Sequence, residues 1–190
     1  MRAPYRTAIP LMALFFSALL VTAFTGCGAT AASGASAGNG AQTSILDACV
    51  LLTLADVSPL LGAEAKQTIN SPSKPPNGKL AQTSGCRYEA ASKAIHLFAR
   101  RSPVNDNTPG AIEATRQSVK EVSQGVDPVP VAGVGDTAFW APYGSDGYWL
   151  HAFKGGNLYV YLKMEGFADS AGALDQARPL VQTTLSRLRS

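Results

Sequence analysis

The chain reads as an α/β (α+β) protein: a largely antiparallel sheet packed with helices into an α/β sandwich, with one disulfide expected. Three observations carry that reading. Apolar alternation of period two recurs at Ala94–Arg101, Tyr148–Lys154 and Leu158–Met164, the pattern of half-buried strands. Short turns join neighbouring strands and return the chain antiparallel. Helical spacing of three and four closes the sequence at Leu174, Ala177, Val181, Leu185 and Leu188.

Taken in order, the first element is a short helix. Thr53 caps it, Asp56 three residues on completes a capping box, and Leu52 staples to Val57. Gly62 suits the stop, and Pro59 removes a backbone donor, so the helix is brief or distorted. Residues 70–79 are loop by composition. Two strands follow, Ser84–Ala90 and Ala94–Arg101; in the second, Ile95, Leu97 and Ala99 alternate with His96, Phe98 and Arg100. Thr108-Pro109 opens a helix running to about Val122, with Ile112, Val119 and Val122 on one face. A Pro- and Gly-punctuated stretch leads to a strand near Asp136–Trp140, then a loop through Pro142 to Gly147. Pro179 either kinks the last helix or starts its second half. No internal repeat is visible.

The clearest hairpin is Tyr148–Lys154 with Leu158–Met164, joined by Gly155-Gly156-Asn157. A two- or four-residue turn places Trp149, His151 and Phe153 with Leu158, Val160 and Leu162 as a core face. Tyr148, Leu150 and Ala152 then join Tyr159, Tyr161 and Lys163 on an amphipathic face, covered by the last helix or offered to a ligand. A three-residue turn changes this pairing. Nine of the fifteen aromatic residues fall between Phe139 and Phe167. That clustering selects Tyr148, Tyr159, Tyr161, Trp140 and Tyr143 as the candidate binding surface, although space-filling is the commoner use of such rings.

Ahead of the domain lies a segment of different character. Arg2 and Arg6 precede an apolar run from Leu11 to Val21, followed by Phe24-Thr25-Gly26-Cys27. This is the layout of a bacterial lipoprotein signal: residues 1–26 are the signal peptide and Cys27 is the lipidated residue, a site for acyl chains such as palmitate. The run has signal length, roughly 7–15 residues, rather than the ~20 of a spanning helix. A transmembrane anchor and ordinary secretory cleavage are the alternatives. Phe24 stands where Leu is usual; Gly28 permits export to an outer membrane. Residues 27–44 carry no large apolar side chain and read as a Gly/Ala/Ser tether reaching about 20–25 Å. Residues 45–190 are sized for a single globular domain. The expected location is the bacterial cell envelope, anchored by lipid to the cell membrane or outer membrane and facing the extracytoplasmic space, such as the periplasm.

Loss of Arg2 and Arg6 with the leader lowers the formal charge from +3 to about +1. That balance gives no reason to expect nucleic acid as a partner. With Cys27 set apart for lipid, Cys49 and Cys86 remain in an oxidising compartment, where a disulfide is favoured over two buried thiols.

Motifs that promise chemistry lack their contexts. Gly34-Ala35-Ser36-Ala37-Gly38 matches a hydrolase pattern but lies in the tether. Gly133-Val134-Gly135-Asp136-Thr137-Ala138 resembles a relaxed dinucleotide fingerprint, yet Pro128-Val129-Pro130 precedes it, so a structural turn with Asp136 bonding nearby amides is expected. His96 and His151, the only histidines, sit on separate strands without a placed carboxylate; His151 reads as core and His96 as solvated. No catalytic residue, metal site or cofactor is assigned.

Asp47-Ala48-Cys49-Val50-Leu51-Leu52-Thr53-Leu54-Ala55-Asp56-Val57 ends in Leu60-Leu61-Gly62, and Cys86-Arg87-Tyr88 and Gly133–Ala138 follow. With these three motifs the chain resembles, over about 45–165, an actinobacterial family of small envelope lipoproteins of unknown function. The resemblance implies a Cys49–Cys86 bridge and an α/β sandwich, and no catalytic residues. The expected role is an anchored binding or accessory module for a small apolar ligand, a glycan or an envelope protein. The alternatives are a structural subunit of an envelope complex and a hydrolase with dispersed residues, such as His151 with a carboxylate and Ser145 or Ser84.

Overall fold

The computed structural model describes residues 44–145 and 147–188. The expected signal peptide, Cys27, the expected tether up to residue 43 and the Gly34–Gly38 motif lie outside them. Within the described residues the elements run α1 (Ala48–Leu51), α2 (Leu54–Leu61), β1 (Lys66–Ser71), β2 (Gln82–Ala90), β3 (Lys93–Arg101), α3 (Pro109–Val122), β4 (Val129–Pro130), β5 (Thr137–Tyr143), β6 (Gly147–Lys154), β7 (Leu158–Glu165) and α4 (Ser170–Arg187). No helix among these residues is long and apolar enough to cross a membrane.

The seven strands form one antiparallel sheet in the order β1-β2-β3-β7-β6-β5-β4. Two meanders, β1–β3 and β4–β7, meet where β3 pairs with β7, and α3 carries the chain between them. One sheet face packs α1, α2 and α4 through Cys86, Tyr88, Ile95, Leu97, Leu150, Val160, Leu162 and Met164. The other face packs α3 through Phe139, Ala141, Phe153 and Val119. The helices on both sides complete the expected sandwich.

Local chemistry explains most boundaries. The Asp56 carboxylate accepts from the Thr53 N–H and hydroxyl, both at 2.7 Å, and so closes the start of α2. Leu52 and Val57 are both fully buried beside it. Gly62 ends the helix at φ 97°, where a side chain is disfavoured. Thr108 caps α3 by accepting from the Ala111 N–H at 3.2 Å, with Pro109 at the first helical position. Pro179 lies inside the continuous α4.

The two cysteines are bridged, tying α1 to β2. Period-two alternation puts Tyr88 on the same side as Cys86, and its hydroxyl donates to the Leu52 carbonyl at 2.7 Å. Ser84, one step further along that face, accepts from the Ala48 N–H at 2.8 Å. The Cys-x-Tyr spacing thus fastens the first helices to the sheet from one strand face.

Several expectations are corrected. α1 and β1 were not anticipated, and β1 takes in residues 70 and 71 of the expected loop. Every β1 residue is exposed, so it carries none of the alternation that marks a buried strand. Val122 is 50% exposed and leaves the contact to Val119, at 3%. The strand near Asp136 runs on through Pro142 to Tyr143. The hairpin pairs Lys154 with Leu158 across a three-residue turn, which reassigns the faces. Trp149, His151 and Phe153 now lie with Tyr159, Tyr161 and Lys163, while Leu150 and Ala152 join Val160 and Leu162. An odd turn shifts the register by one residue and exchanges the partner faces.

Candidate binding face

The face under α3 is a set of cross-strand rows. One runs Gly85–Phe98–Tyr161–His151–Phe139 through β2, β3, β7, β6 and β5. Its neighbour runs Arg87–His96–Lys163–Trp149–Ala141, and on the other side lie Thr83–Arg100–Tyr159–Phe153–Thr137. Ring contacts follow the rows. Phe98 stacks on Tyr161 at 5.0 Å and Phe139 on His151 at 5.0 Å, while Phe153 stacks on Tyr159 at 4.7 Å. Trp149 meets His151 and Tyr143 edge-on, each at 4.7 Å. On β2, the partner of Phe98 is Gly85, which adds no ring or chain to the row.

Helix α3 covers the β5–β6 side of this face and Tyr159 of β7, with Ile112 and Val119 against Phe139, Phe153, Trp149 and Tyr159. Toward β2 and β3 the rings are half-buried and bordered by ion pairs: Arg87 with Glu89 at 2.5 Å and Glu165 at 2.6 Å, Arg100 with Asp106, and Lys163 with Glu165. The Lys163 ammonium also sits 3.6 Å from the Tyr143 ring centre. The cations on this face are therefore matched by carboxylates.

His151 is 2% exposed, and burial holds its imidazole far below the usual range, at about 3. Its Nδ1 lies 2.7 Å from the Tyr159 hydroxyl, whose own pKa burial pushes up. His96, expected to be solvated, is half-buried. Burial, then the charges of Arg87 and Lys163, depress its pKa.

The five candidate residues divide between the two sheet faces. Tyr143, Tyr159 and Tyr161 lie on the aromatic face. Trp140 and Tyr148 stack on each other at 5.3 Å on the opposite side, where the Trp140 Nε1–H donates to Ser170 Oγ at 3.0 Å at the start of α4. They pack with the main core. Sequence reasoning missed Phe98, Trp149 and His151 as members of the face; correct register was the signal needed. The structure does not bring His151, Ser84 and Ser145 together. Ser84 binds Ala48 and Ser71 on the helix face, and Ser145 lies in the exposed β5–β6 turn. At the Gly133–Ala138 motif, a side chain on Gly135 would collide with the Phe153 carbonyl, and Asp136 accepts from the Gly155 N–H at 2.6 Å. A separate shallow groove of about 440 Å³ lies between α2 and α4, lined by Pro59, Leu60, Asp175, Pro179, Leu180 and Thr183.

No family model, curated protein or solved structure matches the chain.

Proposed function

We propose that the protein is a lipid-anchored module of the bacterial envelope, of the small-lipoprotein type its motifs resemble, that binds its ligand against the aromatic face. The membrane is its first partner, through lipid on Cys27. The second is a small apolar ligand, a glycan or an envelope protein. The observation that carries the reading is a ring ladder across four strands, β3, β7, β6 and β5, that α3 leaves half uncovered. Rings with exposed edges and paired charges around them suit recognition of a largely uncharged surface. Native mass spectrometry of the full-length protein, released gently from its own envelope, tests this. An added mass is expected that disappears when Phe98 and Tyr161 are both changed to Ala. Each protein appearing at its own chain mass with no adduct, or an adduct that both retain, counts against it.

A structural subunit of an envelope complex is the second reading. The fully exposed edge strand β1 favours it, because an unpaired strand edge is a template for another chain.

A further inference from the structure

Building on that use of the aromatic face, we propose that Trp149 and His151 form a ligand site beneath α3 for a neutral, flat molecule bearing carbonyl oxygen. Among the described residues, Trp149 Nε1 and His151 Nε2 are buried and have no hydrogen-bond partner. They belong to residues two apart on one strand face, with ring centres 4.7 Å apart. Buried polar side-chain atoms are normally paired, so two orphans on one short stretch call for an explanation.

Proton accounting fixes what they lack. The Tyr159 hydroxyl has a single hydrogen, and His151 Nδ1 is the ring nitrogen beside it. If Tyr159 donates there, His151 carries its proton on Nε2, and the site holds two orphaned donors. If Nδ1 donates instead, the tyrosine hydrogen is stranded as well. The first tautomer leaves fewer groups unsatisfied. Trp149 Nε1 is a donor in any case, so both atoms await an oxygen acceptor.

The surroundings define the rest of the ligand. Phe139 stacks on the imidazole, and Ile112 and Val119 of α3 close the apolar side, which suits a flat body. The flanking cations are engaged: Lys163 by Glu165 and Tyr143, Arg100 by Asp106, and Arg116 by Glu113 at 4.0 Å and the Pro128 carbonyl. None is left to compensate a buried carboxylate, so a neutral carbonyl is favoured over an acid. Access requires α3 to lift. Val119 is its one buried residue, and the turn after it holds Gln124 and Gly125 at φ 57° and 87°.

Nitrogen-15 labelling of the two indoles in the full-length protein supplies the test. Trp140 is an internal control because its N–H is already bonded to Ser170. Acetophenone should move the Trp149 N–H resonance downfield, saturably, and leave Trp140 in place; ethylbenzene and benzoate should not. His151→Phe should weaken the acetophenone response about tenfold, as loss of one hydrogen bond requires. Absence of a Trp149 shift in the native protein overturns the proposal. So does an equal shift with ethylbenzene or benzoate, or a water cross-peak to Trp149 that survives saturating acetophenone. If instead the Phe98- and Tyr161-dependent adduct persists without a Trp149 response, the wider binding reading stands and this site falls. Loss of both removes the two together.

Discussion

At the scale of single residues, burial and register decide more than residue type. His151 stays neutral in the fold until about pH 3, whereas the unfolded chain takes up its proton near 6.5. Acidification through that window therefore favours unfolding. The melting temperature of the native protein should fall more steeply between pH 7 and pH 4 than that of His151→Phe, followed by circular dichroism; parallel curves would contradict it. Asp56 acts with the same sign in a lower pH window. Its hydrogen bond with Arg187, above all, holds it at about 2 against 3.8, so its contribution is present above pH 3.8 and lost as pH falls through 2. Asp56→Asn should cost about 1 kcal/mol at pH 7 after allowance for the half-exposed Arg187, measured by urea unfolding. The sequence announced Asp56 through its cap spacing. It did not announce Arg187, a partner 131 positions away.

Among the elements, legibility tracks how strongly each one alternates. β2, β3 and the β6–β7 hairpin were readable because their apolar residues recur with period two. β1 was not, because an edge strand exposed on every residue has no such pattern. The hairpin's strands were visible but its faces were not: one residue of turn length exchanges them, and strand ends cannot be read from sequence to that precision. That one residue hid Trp149 and His151 from the candidate face and placed Tyr148 on it. Helix α3 was read correctly in extent and over-read in contact, since Val122 faces outward. Its docking rests chiefly on Val119. Val119→Ala should speed amide exchange through Pro109–Val122 and leave the β2 and β3 amides as they were. Uniform acceleration across the sheet would show α3 to be an inseparable part of the core.

Across the whole molecule, the sheet is held to its first helices by three links from alternate positions of β2: Ser84 to Ala48, Cys86 to Cys49, and Tyr88 to Leu52. The bridge closes a separation of 37 residues, for which chain entropy implies about 4 kcal/mol. Changing both cysteines to Ala should lower stability by roughly that amount in denaturant titration. A loss below about 1 kcal/mol would mean that the Ser84 and Tyr88 links suffice. The pairing was open to cysteine arithmetic. The two supporting hydrogen bonds were not, because no spacing rule joins Ser84 to Ala48.

The bridge also has a mechanical meaning. Any pull on the chain ahead of Ser44 first meets hydrogen bonds: Arg101 and Gln82 hold the Ser44 carbonyl, and the Leu46 N–H donates to Ser73. Those bonds can peel one after another. At Cys49 peeling ends, because load passes covalently into β2, one strand in from the sheet edge. Tension from the N-terminal side therefore enters the sheet through β2 and bypasses the chain between Cys49 and Cys86, α2 included.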